Sequence, residues 1–245
     1  MTELRERRPH AILDAPSRRL KAEKIARLVE RVRPVEGARL LDIGAGSGHI
    51  ASTLSELAGE HGEVWAVDVN DQRQTTVGYQ FERVSGTALP FADGRFDVVL
   101  SNHVIEHVGE QSDQLHHLRE IRRVLDDSGV CYLAVPNRWG LMEPHFRLPF
   151  LSWLPNKLGD TYVRMARKGT HYDCNLPTRK KVTDLFAEAG FASEDVTVPA
   201  MRLYAALEEL GPFARTMCAA PTPVLRLLLP LNPTMIFLLR PANSS

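Results

Sequence analysis

The chain has 245 residues, 44% of them hydrophobic, with 30 Lys and Arg balanced by 30 Asp and Glu. That length fits one large globular domain with insertions, and zero net charge excludes a globally cationic nucleic-acid binder. Charge is nevertheless segregated: residues 1–33 carry ten basic and five acidic side chains, 34–134 seven and sixteen, and 135–181 nine and three. An acidic body therefore carries two basic flanks. The three cysteines, Cys131, Cys174 and Cys218, form no C-x-x-C pair and imply neither a disulfide framework nor a zinc ribbon. Together with an N-terminus too polar for a signal peptide, they lead to the expectation of a cytoplasmic protein.

In chain order, Leu20, Ile25, Leu28, Val29 and Val32 recur at helical spacing from Ser17 to Arg33, and Pro34 closes this amphipathic helix. The helix defines an N-terminal region, 1–34, ahead of a domain spanning 35–245. Short apolar strands follow at Ala38 to Ile43, Val64 to Val67 and Phe96 to Leu100, then a helix at Gln114 to Leu125 and a strand at Val130 to Val135 stopped by Pro136. A helix at Arg179 to Ala189 and strands at Phe191 to Val198 and Thr234 to Leu239 complete the set. Such alternation means a doubly wound α/β sheet, mostly parallel. Two segments, 137–177 and 200–233, exceed the usual connection length and are expected to form a substrate lid. The Val224 to Leu239 run is too interrupted, by Arg226, Pro230, Asn232 and Pro233, for a membrane span, which needs about 20 apolar residues.

The most informative stretch is Leu40-Leu41-Asp42-Ile43-Gly44-Ala45-Gly46-Ser47-Gly48-His49, a hydrophobic strand entering G-x-G-x-G and then a helix. Glycines let the backbone turn sharply and approach a ligand. A dinucleotide fingerprint wants a third small residue where His49 stands, so a nicotinamide cofactor is disfavoured, and the absence of G-K-[ST] excludes a P-loop. Asp68 ends the next strand, where its carboxylate can accept both hydroxyls of a ribose. A plain glycine-rich turn and a non-catalytic adenosine-binding module remain competing readings.

At these residues, and at Val67-Asp68-Val69, Leu89-Pro90-Phe91-Ala92-Asp93-Gly94-Arg95-Phe96-Asp97-Val98-Val99 and Glu106-His107-Val108, the chain resembles class I S-adenosylmethionine-dependent methyltransferases, near the ubiquinone and menaquinone C-methyltransferases. The resemblance covers Leu40 to Val135. It implies a Rossmann-like seven-stranded sheet whose last strand is antiparallel, with S-adenosylmethionine over the carboxyl ends of the strands. It puts Gly44 and Gly46 beside the methionine part of that cofactor, Asp42 behind the loop, Asp68 on the ribose and Val69 on the adenine. Asn102 would line the methionine end. Ser85 and Gly86 stand where many members carry Asp or Asn followed by Ala, a departure at the adenine amine. The family implies a small-molecule acceptor, which could be apolar, lipid-like or a glycan, and segment 137–177, with its aromatics and basic residues, suits an apolar or lipid-like one or a peripheral membrane contact. Its basic residues read as a solvated face, so nucleic acid is disfavoured.

His103-Val104-Ile105-Glu106-His107 matches H-x-x-E-H, two histidines four apart with a carboxylate between. The sequence indicates no third ligand, so no metal is expected there. For an acceptor that must lose a proton, His171, His145 and His103 are the candidate bases, His171 first, because it closes the segment expected to cover the methyl group. His116 and His117 are expected on the solvent side of a helix.

Overall fold

A computed structural model of the chain describes residues 15–172, 174, 176–208 and 211–242. Seven strands form one sheet: β1 (Arg39–Ile43), β2 (Glu63–Asp68), β3 (Gln80–Arg83), β4 (Phe96–Asn102), β5 (Leu125–Pro136), β8 (Phe191–Asp195) and β9 (Thr234–Pro241). Their order is β3-β2-β1-β4-β5-β9-β8, and β9 runs antiparallel to both neighbours while the other pairs are parallel. Strand order reverses between β1 and β4, so the loops leaving their carboxyl ends diverge and open a crevice there.

Successive side chains on a strand point to opposite faces, and both faces of this sheet are covered. Leu40, Val98, Leu100, Val130 and Tyr132 pack with helices α1 (Ala15–Val29), α2 (His49–Ala58) and α6 (Thr197–Leu207). Leu41, Val99, Cys131, Leu133 and Phe237 pack on the other side with α3 (Gln111–Val124) and α5 (Arg179–Glu188). Helix α1 ends at Val29 rather than Arg33, and its fully buried Ala22 and Ile25 belong to the main core. At ~25 cal/mol per Å² of apolar surface, each large side chain buried this way contributes about 2 kcal/mol.

The expected strand over Phe191 to Val198 stops at Asp195. Asp195 Oδ1 accepts from Thr197 N–H at 2.9 Å and Thr197 Oγ1 accepts from Ile236 N–H at 3.0 Å, turning the chain into α6, whose first turn tolerates Pro199. Segment 200–233 therefore continues α6 and adds α7 (Pro212–Ala219) and α8 (Thr222–Leu228). Segment 137–177 holds a two-residue hairpin, β6 (Met142–Glu143) with β7 (Leu148–Pro149), and α4 (Asn156–Met165). It has a small core of its own, built from Phe146, Leu148, Leu151, Val163, Tyr172 and Leu176. The two segments meet where the Asn137 side-chain amide donates to the carbonyls of Pro230 and Asn232, at 2.7 and 3.0 Å. Among the described residues, no helix is long and apolar enough to cross a membrane.

At the amino ends of the central strands, Asp97 of β4 is bonded to β1 and to the turn after α1. Its carboxylate accepts from Arg39 N–H at 2.9 Å, from the Arg39 guanidinium at 3.0 Å and from Arg33 Nη2 at 2.5 Å. Burial alone would raise the acid, but the bonds from Arg39 and the charge of Arg33 outweigh it and hold it below the usual carboxylate range. A carboxyl depressed in the folded state stabilises above its unfolded pKa, about 3.9, and loses that contribution as pH falls through the folded value. Asp97→Asn is therefore expected to cost about 1 to 3 kcal/mol at pH 7. In denaturant melts, the gap between the two proteins should narrow as the pH is lowered below about 4; a constant gap would show that the charge of Asp97 contributes nothing.

Candidate active site

The glycine loop leaves β1 at the switch point and is held from the next strand. Gly46 N–H donates to Asp68 Oδ2 at 2.9 Å, and Asn70 N–H donates to Asp68 Oδ1 at 3.1 Å. Two of the four lone-pair positions of that carboxylate are thus used by the protein, leaving two for a diol. Gly44, Gly46 and Gly48 all have positive φ, at 79°, 50° and 79°. A Cβ on Gly44 would lie 2.6 Å from Val104 Cγ2, so this glycine lets the loop pack against the segment after β4. A Cβ on Gly46 would meet only Gly44 O, at 4.0 Å, and would project into open space. That space is the cradle a ligand would fill.

Two acceptors near the loop, Asp42 Oδ2 and Asn102 Oδ1, are buried without a hydrogen-bond partner among the described residues. Such groups are costly unless something donates to them, and they suit an ammonium group. Burial first, and the charge of Asp68 second, push the Asp42 carboxyl up to about 7. Val69, just past β2, is 49% exposed and offers an apolar surface beside Asp68. Ser85 and Gly86 lie in the exposed loop after β3, which pairs Arg83 with Asp68 and so ends at the same edge. The geometry of these residues fits an adenosine bearing an amino-acid tail. The Leu89-to-Val99 motif is architectural: Arg123 donates to the carbonyls of Leu89 and Phe91 at 2.9 and 2.6 Å, and Glu120 accepts from Leu89 N–H at 2.9 Å.

Beside the loop, β4 ends in a histidine cluster. His103 has φ 58°, a conformation that costs a non-glycine residue about 1 to 2 kcal/mol and that often marks functional sites. Its Nδ1 faces Glu106 Oε1 at 3.3 Å, and His145 Nε2 approaches the same oxygen at 3.4 Å. His107 Nε2 and His145 Nε2 are 3.3 Å apart. Burial opposes charge on both His145 and Glu106. For His145 it is outweighed by Cys174, Glu106 and Glu143, which push the imidazole up to about 12, and for Glu106 by His103 and His145, which hold the carboxyl far below its ordinary value. At His103 burial prevails over Glu106, and the imidazole is held below its ordinary value.

The structure gathers His103 and His145 but not His171, which is partly exposed, with Nδ1 2.9 Å from Thr170 Oγ1. His117 does not face solvent as expected: it is buried on α3, 3.0 Å from Ser101 Oγ, and burial lowers it to about 4, so it is neutral at pH 7. Sequence reasoning missed Lys21 of α1, which is close enough to perturb His103 and which burial, then Arg18 and Lys24, pull down to about 8. Amphipathic periodicity marked the buried face of α1 but could not show that its first turns border the site. A cleft of about 540 Å³ between Arg31, Arg202 and Arg226 shares none of these residues; convergent polar groups locate the site better than volume does.

The chain belongs to the methyltransferase-domain family, which matches residues 14–196. It is 29% identical to a ubiquinone biosynthesis O-methyltransferase of Cereibacter sphaeroides, over 66% of this chain and 63% of that protein, so it spans less than two thirds of that relative's length. It is 30% identical to a demethylmenaquinone methyltransferase of Bacillus velezensis, over 64% of this chain and 72% of the relative. Among solved structures, an S-adenosylmethionine-dependent methyltransferase from Mesorhizobium loti superposes with a TM-score of 0.56 at 18% identity, covering 90% of this chain and 99% of that one. The [4+2]-cyclase SpnF superposes at 0.53 and 17% identity, covering 92% and 81%. These likenesses establish the fold alone, since one scaffold carries several chemistries.

Proposed function

We propose that the chain is an S-adenosylmethionine-dependent methyltransferase acting on a small-molecule acceptor. The observation that carries this reading is the bond from Gly46 N–H to Asp68 at the switch point, which leaves acceptor capacity beside open space. Asp68 would hold the ribose, Gly44 and Gly46 the methionine part, Val69 the adenine face, and Ser85 with Gly86 the adenine amine. Asn102 would accept from the amino group, with Asp42 behind the loop. The competing readings, a non-catalytic adenosine-binding module and a nicotinamide-dependent oxidoreductase, have less support: family membership weighs against both, and His49 against the second.

When bound, the cofactor supplies a methyl group on a cationic sulfur, ready for direct displacement. The chain's own task is to align the acceptor and exclude water, which can lower the barrier by several kcal/mol. Where the acceptor must lose a proton, His103 is the base favoured by geometry, ahead of His171 and His145. With Nδ1 directed to Glu106, its remaining nitrogen, Nε2, carries the lone pair. The quinone methyltransferases named among the relatives support a ring-bearing, apolar acceptor. Segments 137–177 and 200–233, joined at Asn137, would form its lid.

Trp139, Phe150 and Trp153 stack edge to face, at 5.9 and 5.1 Å between centroids, and are 45%, 49% and 39% exposed. With Arg138, Arg147 and Lys157 nearby in sequence, they suit peripheral contact with an anionic lipid surface from the cytoplasm, where the three cysteine thiols would stay reduced.

Asp68→Ala is expected to weaken calorimetric binding of S-adenosylhomocysteine by about 10-fold to 100-fold, as charge-assisted hydrogen bonds are lost; unchanged affinity would rule out the assigned ribose site. His103→Ala should lower turnover of a proton-losing acceptor by about 100-fold with cofactor affinity intact, and His171→Ala by far less. The reverse order would return the role to His171. The wild-type protein should co-sediment with anionic phosphatidylglycerol vesicles, and the Trp139→Ala/Trp153→Ala pair should not. Equal co-sedimentation of the two would remove the membrane contact.

A further inference from the structure

Three separated pieces of the chain deliver nitrogen and sulfur donors to one largely enclosed point. His107 follows β4, His145 lies in the β6–β7 turn, and Cys174 lies at the end of segment 137–177. One ligand atom of each lies within 4.8 Å of the others. A zinc ion with bonds of about 2.0 to 2.1 Å to nitrogen or oxygen separates tetrahedral ligand atoms by about 3.3 Å. The separation of His107 Nε2 from His145 Nε2 is 3.3 Å, and that of His145 Nε2 from Glu106 Oε1 is 3.4 Å.

Two further observations point to a cation. Glu106 is 1% exposed, and neither of its carboxylate oxygens makes a sound hydrogen bond to the described residues, although imidazoles crowd Oε1. A buried carboxylate in that condition is costly unless a charge is placed beside it. His145, for its part, is oriented as metal-binding histidines are: Nδ1 lies 2.9 Å from Glu143 Oε1, and Glu143, fully buried, is fixed by accepting from Phe146 N–H at 2.6 Å. A carboxylate behind Nδ1 turns Nε2 inward as a lone pair.

We propose that His107, His145 and Cys174, with Glu106 as the fourth ligand, form a zinc site that ties segment 137–177 to the end of β4. Thiolate and carboxylate together carry two negative charges, so the ion leaves the set of four ligands neutral, the thiol proton and the proton on His145 Nε2 both going to solvent on binding. Imidazole and thiolate donors select zinc over magnesium or calcium. Four protein ligands make the site structural, and Glu106, bound to the ion through one oxygen, would hold His103 in place. The sequence reading expected no metal because H-x-x-E-H lacked a third ligand; His145 and Cys174 supply it from 38 and 67 residues beyond His107.

The test uses the full chain, purified without a metal-affinity tag, stripped with chelator and titrated with zinc alone, independently of any cofactor. One equivalent per chain is expected by elemental analysis, and substitution with cobalt(II) should give a thiolate-to-metal charge-transfer band and the visible bands of a tetrahedral ion. Cys174→Ser should abolish the charge-transfer band and weaken zinc by about 100-fold or more, and Glu143→Gln should weaken it by about 10-fold. Circular dichroism and S-adenosylhomocysteine affinity, unchanged in Glu143→Gln, separate loss of metal from loss of fold. Failure of the wild-type chain to take up zinc, or a cobalt spectrum without the thiolate band, would overturn the proposal in favour of a proton held on His145, and would leave the methyltransferase reading untouched.

Discussion

The hydrogen bond from Gly46 N–H to Asp68 ties together the two strand ends on which the site depends. A glycine loop with three positive-φ positions has many alternative conformations, and fixing a residue costs about 1 to 2 kcal/mol in entropy. Asp68 selects one of them from a neighbouring strand, and Val104 supports it from the other side, in contact distance of Gly44. The loop is thereby preorganised between β2 and the segment after β4. Any acceptor bound near His103 would then face a ligand in the loop across the same crevice.

What the sequence made legible follows from locality. Strands β1, β2, β4 and β5 each carry a short apolar run because both faces of the sheet are covered, and the loop announces itself through glycines that no other residue replaces cheaply. Strand β3 was illegible: Gln80-Phe81-Glu82-Arg83 is an edge strand, partly exposed and polar, with no apolar run to mark it. The start of helix α6, Thr197 and Val198, was hidden at the end of an expected strand because Phe191 to Val198 reads as β-forming until the bonds of Asp195 and Thr197 are seen. The aromatics and prolines of segment 137–177 concealed a small core that only tertiary packing defines.

The candidate site divides in the same way. Asp42, Gly44, Gly46, Asp68 and Asn102 sit at strand ends, so chain order alone brings them to one sheet edge. The histidine cluster cannot be read so: Glu106 meets His145 only because the β6–β7 turn folds back onto β4, and Cys174 returns from still further along the chain. His171 is near Cys174 in sequence yet stands apart from the cluster, with its Nδ1 2.9 Å from Thr170 Oγ1. Sequence proximity alone therefore does not say which histidines the fold brings beside the buried carboxylate of Glu106.

The most direct test of the account is amide hydrogen exchange on the full chain with and without S-adenosylhomocysteine. The account predicts slowed exchange concentrated in the glycine loop over residues 44–48, in the segment after β2 around Asp68 to Asn70, and at the end of β4, because those amides border the proposed cradle. Protection confined to the arginine-lined cleft around Arg202 and Arg226, or no protection at saturating ligand, would contradict it.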